Sequence, residues 1–194
     1  MSTTITIPQS DLRIATTSHW LKRYYFARFA FSAIWVAVAF AVAKNVPALA
    51  AVMMVAYPAW DAIANFVDAR RSGGIGHNKA QLLNFIVSIV TAVAVGVALG
   101  RGANGVLTVF GVWAGFSGIL QLATAVGRWK TTGAQWAMIL SGAQSMLAAI
   151  FMVKTAQGAA SVGITDIAPY AGFGAFYFLV SAVSLAVSGA RKAR

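Results

Sequence analysis

The chain has 194 residues, 59% of them hydrophobic and only 10% charged, whereas a soluble domain carries about 25% charged residues. That deficit excludes most soluble folds and fits one compact membrane domain with no separate soluble one. A net charge of +11 would suggest nucleic acid in a soluble protein; in so apolar a chain it fits a positive-inside bias and attraction to anionic lipid headgroups. No basic run has the length or context of a nucleic-acid reading module.

There is no cysteine, which removes disulfides, thiolate metal sites and cysteine nucleophiles. In chain order, residues 1–23 read as a polar, loosely organised cytoplasmic segment. The first apolar run starts near Tyr24, too late and too long for a cleaved signal peptide, so an uncleaved anchor is expected. Six apolar runs follow, at 24–43, 46–67, 81–99, 106–126, 135–153 and 168–188. Each is close to the roughly 20 residues that cross a ~30 Å hydrocarbon core as a helix. None alternates polar and apolar residues as a barrel strand must. The expected fold is therefore all-α: a polytopic six-helix domain over 24–190, closed by a basic tail at 191–194.

The charges sit between the runs. Arg13, Lys22, Arg23 and Arg28 precede or enter the first; Arg70, Arg71 and Lys79 lie between the second and third. Arg128 and Lys130 lie between the fourth and fifth, and Arg191, Lys192 and Arg194 are in the tail. Against these twelve, the opposite connections hold Lys44, Arg101 and Lys154. The positive-inside rule then puts both termini in the cytoplasm of a bacterial inner membrane. Trp20, Trp129 and Trp136 fall at cytoplasmic span edges, where interfacial anchors belong.

An internal repeat organises the spans. Residues 110–128 read FGVWAGFSGILQLATAVGR and residues 173–191 read FGAFYFLVSAVSLAVSGAR, with Phe110, Gly111 and Arg128 recurring as Phe173, Gly174 and Arg191. The segment WDAIANFVDARR fits the same frame through Arg71. Three hairpins in one orientation are expected, at about 24–67, 81–126 and 135–188. Six spans, glycine-punctuated hairpins and a basic residue closing each even span resemble the HdeD family, bacterial inner-membrane proteins built from a short repeat of unknown function. The resemblance covers most of 24–190 and is carried best by FGVWAGFSGILQLATAVGRW. It implies a non-enzymatic membrane protein with a role in acid resistance, and it supplies no catalytic residue.

The acids of the second span are a departure from that repeat. Asp61 is followed by Asn65 and Asp68 at helical spacing, so the three share one face. In the other copies that face is small or polar (Gly118, Gln121 and Ala125; Ser181, Ser184 and Ser188), so it is expected to pack against helices. Arg28 is the expected partner of Asp61, with Asn84 and Ser88 supplying further hydrogen bonds. Three readings of Asp61 remain open: a structural ion pair, a proton-titrating or ligand-contacting site, or an acid at a wet, thinned interface. Gly111, Gly115 and Gly118, and separately Gly96 and Gly100, read as helix-packing motifs, either within one subunit or at a homo-oligomer seam. Gln121 and Gln144 read as hydrogen-bonding glue, and Trp35, Trp60 and Trp113 as packing rings. His19 and His77 lack a second histidine placed to hold haem or metal, and RRSGGIGHNK lacks the spacing of a phosphate loop. No cofactor is expected, and no catalytic set of residues is visible. The alternative function is a small transporter or channel with Asp61 as its coupling or selectivity group.

The charge asymmetry makes a direct prediction. Reporter fusions at Lys44, at Arg101 and within 155–165 should all read as external, and one cytoplasmic reading among them breaks the span assignment.

Overall fold

The computed structural model describes residues 9–71, 74, 76, 79–127, 136–159 and 161–192. Its elements are α1 (Gln9–Ala41), α2 (Pro47–Arg71), α3 (Lys79–Leu99), α4 (Ala103–Gly127), α5 (Trp136–Ala156) and α6 (Ile164–Lys192). There is no strand among the described residues. All six helices contain a stretch long and apolar enough to cross a membrane. The chain is a multi-pass helical membrane protein. His77, Arg128, Trp129, Lys130 and Arg194 lie outside the described residues.

The boundaries show local rules that the hydropathy pattern did not register. Helix α1 reaches back to Gln9, into the stretch expected to be loosely organised. It stops at Ala41, and a single 3-10 turn over Ala43–Asn45 follows. Val46 is extended (φ −128°, ψ 90°), as a residue before proline prefers, and Pro47 then opens α2 where its missing N–H costs nothing. The turn from α3 to α4 passes through Gly102 at φ +95°, a left-handed conformation that favours glycine. Helix α6 starts at Ile164, earlier than the expected 168. Asp166 caps this start: its Oδ2 accepts from Gly163 N–H at 2.7 Å, and Asp166 N–H donates to the Gly163 carbonyl at 3.1 Å to close the first turn.

The chain forms two compact units. One comprises Met1–Ile34 with Gly172–Arg194, that is, most of α1 and most of α6. Within it Tyr25 stacks on Phe178 with ring centroids 6.4 Å apart. The other, Trp35–Ala171, holds α2 to α5 and the adjoining ends of α1 and α6. In this larger unit α2 packs on α3, α3 on α4, and α4 on α5. Its fully buried side chains include Leu107, Phe110, Val95 and Pro58. Large apolar side chains face outward at helical spacing: Val90, Val93 and Val97 on α3, and Val112, Phe116 and Ile119 on α4. In water such faces would aggregate; against lipid tails they are the solvated surface.

The α4–α5 seam is a close approach of backbones. A Cβ on Gly118 would sit 2.7 Å from the Gly142 carbonyl oxygen, and one on Gly142 would sit 3.0 Å from the Gly118 carbonyl. Gly111 faces Val153 and Ala149 in the same seam, and Gly115 faces Ala149. These glycines thus pack against α5 within the chain. Gly96 and Gly100 differ. A Cβ on Gly96 would meet nothing, and one on Gly100 would meet only the Val97 carbonyl of its own helix. Gly96 on α3 and Gly100 in the turn after it are both exposed, so a packing role for this pair is left to a homo-oligomer seam.

Gly118→Ala should therefore lower the melting temperature in detergent, with a cost of about 1–3 kcal/mol from overpacking against backbone that exceeds the ~1 kcal/mol helix-propensity gain. Gly96→Ala gains the propensity without a clash and should hold or raise it. Equal shifts in a thermal melt would refute the seam.

Candidate polar site in the larger unit

Helix α2 is amphipathic in the membrane sense, with its polar face turned inward. Asn65 and Asp68 are buried and Asp61 is half-buried, whereas Ile63 is 56% exposed. Unpaired polar groups at membrane depth cost several kcal/mol, so this face needs donors from a neighbouring helix. Helix α3 provides them. Ser88 Oγ donates to Asp61 Oδ2 at 2.7 Å, and Gln81 Nε2 donates to Asp68 Oδ2. Asp68 follows Asp61 by seven residues and Gln81 precedes Ser88 by seven, so the two rungs share one antiparallel register. They lie two turns apart, about 10 Å along the helix. Phe66 and Phe85 fill the space between, with ring centroids 5.4 Å apart.

Asp61 has a donor on its own helix as well. Asn65 Nδ2 also donates to its Oδ2, at 2.8 Å, and to its backbone carbonyl at 2.9 Å. Ser88 is itself held from α4: Trp113 Nε1 donates to Ser88 Oγ at 3.3 Å. The result is a chain of hydrogen bonds from α4 through α3 to α2. Asp61, Ser88 and Trp113 are all close to the middle of their helices.

Aromatic rings enclose this chain. Trp113 meets Phe110, Tyr57 and Tyr170 edge to face at centroid distances of 5.8, 6.0 and 6.0 Å. Edge-to-face contacts of this kind add about 0.5–1.5 kcal/mol each beyond area burial. Tyr57 also packs on Trp35 at 5.0 Å, and Trp35 Nε1 donates to the Met53 carbonyl at 2.8 Å. Met53 lies beside Met54, whose carbonyl Pro58 leaves without its usual helical donor. The Tyr170 hydroxyl is hydrogen-bonded by Ser145 of α5 and Ser117 of α4. Polar side chains of five helices thus occupy the interior of this unit.

The residues singled out in the sequence divide among three places. Asp61 and Asn65 meet, and they meet Ser88. Asp68 is in the second rung with Gln81, where Asn84 Nδ2 donates to Gln81 Oε1 at 3.4 Å. Asn84 therefore serves the Asp68 rung, one helical turn nearer the start of α3 than the Asp61 site. Arg28 is in the smaller unit, where its Nη1 donates to the Tyr24 hydroxyl at 3.0 Å and its guanidinium lies 4.1 Å from the Phe178 ring centroid. Gln121 is half-buried on α4, and its Oε1 has no hydrogen-bond partner among the described residues. The sequence reading missed Gln81, Tyr57 and Tyr170, and it assigned Trp113 to packing alone. The heptad offset that pairs 61 with 88 and 68 with 81 was legible only once the two helices were known to pack.

Ser88→Ala should destabilise the protein by about 1–3 kcal/mol, because it strands Trp113 Nε1 and removes the α3 donor to Asp61 Oδ2. Thr91, equally buried on the same helix, bonds only the Val87 carbonyl of its own backbone. Thr91→Ala should then cost clearly less in the same melting experiment, and the reverse order would contradict the network.

Residues 83–154 match the family model described as a short repeat of unknown function (DUF308), the family to which HdeD-like membrane proteins belong. The matched stretch takes in nearly all of α3, all of α4 and most of α5. No curated protein and no solved structure matches the chain.

Proposed function

We propose that this chain is a non-enzymatic protein of the bacterial inner membrane that contributes to acid or general stress tolerance. The support is the HdeD-like repeat pattern read in the sequence together with the matched short-repeat segment over α3 to α5. Both termini face the cytoplasm in this reading, and the basic face meets anionic lipid headgroups. The observation that carries the structural role is the Asp61 node. A carboxylate near the middle of α2 accepts hydrogen bonds from Ser88 on α3 and Asn65 on α2. Such a node holds helices in register without any chemistry at Asp61.

A second reading has its own support. Ser88 and Asn65 are neutral donors that converge on one oxygen, Oδ2. An acid near the middle of a membrane helix, held by neutral donors, suits a coupling group in a small transporter or channel.

Two measurements separate the readings. The first is survival of a bacterial strain at low pH, with and without expression of the chain. The second is proton and small-solute flux in proteoliposomes for wild type and Asp61→Asn. A structural node predicts better acid survival, no specific flux, and a lower melting temperature in Asp61→Asn. A coupling group predicts flux that Asp61→Asn abolishes by at least about tenfold. Unchanged survival together with absent flux would remove both.

A further inference from the structure

We infer that the outward face of the α2–α3 hairpin end binds an anionic phospholipid, with Arg70 and Lys79 holding the phosphate above an acyl chain that runs over Ile63 and Ile86. This deepens the proposed contact between the basic face and anionic headgroups. It rests on that reading for the leaflet alone.

The inward rungs fix the register. Asp61 meets Ser88 and Asp68 meets Gln81, so two residues further along α2 is level with two residues back along α3. Ile63 is then level with Ile86, and Arg70 with Lys79. Two residues are about 200° round a helix, so these pairs point away from the inward rungs. The exposures agree: Ile63 is 56% and Ile86 47% exposed, and Arg70 and Lys79 are both exposed. On each helix the cation and the isoleucine are separated by about 10 Å of rise. Each helix thus presents a cation at the hairpin end and a large apolar side chain two turns deeper. A phospholipid has the same order, phosphate and then acyl chain.

Arg70 is held in place for this. Its guanidinium lies 5.6 Å from the Phe66 ring centroid, and Phe66 packs on Phe85 of α3 with centroids 5.4 Å apart. A guanidinium lying on a ring keeps its N–H edge for an acceptor, and that fork matches two phosphate oxygens. The acids of α2 do not supply the acceptor, because they answer donors on the inward side. Among the described residues neither Arg70 nor Lys79 has a hydrogen bond or an ion pair. Lys79 also opens α3, at the positive end of that helix's dipole. In a bilayer the isoleucines below are covered by acyl chain, so a phosphate that reaches Arg70 arrives attached to one.

The test titrates the full chain in neutral detergent with dioleoylphosphatidylglycerol and reads bound lipid by native mass spectrometry. Wild type is expected to bind this lipid at least roughly tenfold more tightly than dioleoylphosphatidylcholine, whose choline offsets the phosphate charge. Arg70→Gln combined with Lys79→Gln changes two exposed positions and is expected to weaken phosphatidylglycerol binding by more than roughly tenfold, as loss of charge-assisted hydrogen bonds implies. Arg70→Lys keeps the charge without the fork and should fall between. Phe66→Leu leaves both charges and removes the ring that holds Arg70, so it should also weaken binding. Arg101→Gln, an exposed cation at the opposite end of α3, should bind as wild type does. Excess inorganic phosphate should not displace the lipid. Unchanged binding in the double variant overturns the inference, as does an equal loss in Arg101→Gln, which would mean general charge attraction. Displacement by inorganic phosphate overturns the lipid as occupant. If the double variant does not fold, Arg70→Lys decides, and wild-type binding there overturns the role of Arg70. If binding behaves as expected while the fusions at Lys44 and Arg101 read cytoplasmic, the site stands and the proposed orientation is what fails.

Discussion

A carboxylate placed near the middle of an apolar helix has to find its donors inside the protein, and in this chain that requirement sets how α2 and α3 meet. Insertion scales put an acid at a helix centre about 2.5–3.5 kcal/mol above an apolar residue. Hydrogen bonds between helices in lipid return about 0.6 kcal/mol on average and rarely more than about 1.7. The bonds from Ser88 and Asn65 to Asp61 thus recover only part of that cost. Their larger effect is on alternatives. Sliding α3 by one turn would take Ser88 away from Asp61 and Gln81 away from Asp68 at once. The two rungs make one register far better than the rest.

The other half of the larger unit is held by different physics. Between α4 and α5 the contact is backbone against backbone, through Gly118 and Gly142. Lipid tails are as apolar as leucine, so burial alone does not drive helices together; close packing at small residues does. Asn104 at the start of α4 adds one polar tie, donating to the Ala156 carbonyl at the end of α5 at 2.9 Å. Helix α4 belongs to both systems. Gly111, Gly115 and Gly118 face α5, while Trp113, nearly half a turn round from Gly111, faces the aromatic cluster and Ser88. A rigid seam on one side therefore fixes the indole that orients the polar network on the other.

This division bears on how the family match is read. The matched segment, residues 83–154, contains Ser88 and Trp113 but not Asp61. The α3 donor of the node and the indole behind it thus lie on the repeat-like part of the chain, and Asp61 and its α2 donor Asn65 lie before it. A serine and a tryptophan are unremarkable on membrane helices. Here the acid on α2 gives their alignment a chemical consequence, because it makes one hydroxyl proton point in a fixed direction. The outward faces of α3 and α4 carry the complementary message: valine, isoleucine and phenylalanine at helical spacing, suited to lipid.

The sequence by itself determined the helix count, the all-α class and the inward polar face of α2. All three follow from short-range physics: apolar length against bilayer thickness, and the 3.6-residue period that puts Asp61, Asn65 and Asp68 together. It also picked out the glycines of α4. It could not assign them to a seam, because Gly96 with Gly100 and Gly111 with Gly115 have the same spacing and opposite surroundings. Helix ends were shifted where a local device acted over a few residues, as where the Asp166 carboxylate caps Gly163 N–H. The sequence reading offered Ser88 and Asn84 together as further donors to Asp61; only the tertiary structure separated them, placing Ser88 on Asp61 with Trp113 behind it and Asn84 on the Asp68 rung. Ser88 is 27 residues away in sequence and Trp113 a further 25, and no periodicity links positions on different helices. That choice depends on which helices pack and at what depth they cross. These are set jointly by the buried acids, the glycine contacts and the rings around Trp113, and by no one segment of the chain.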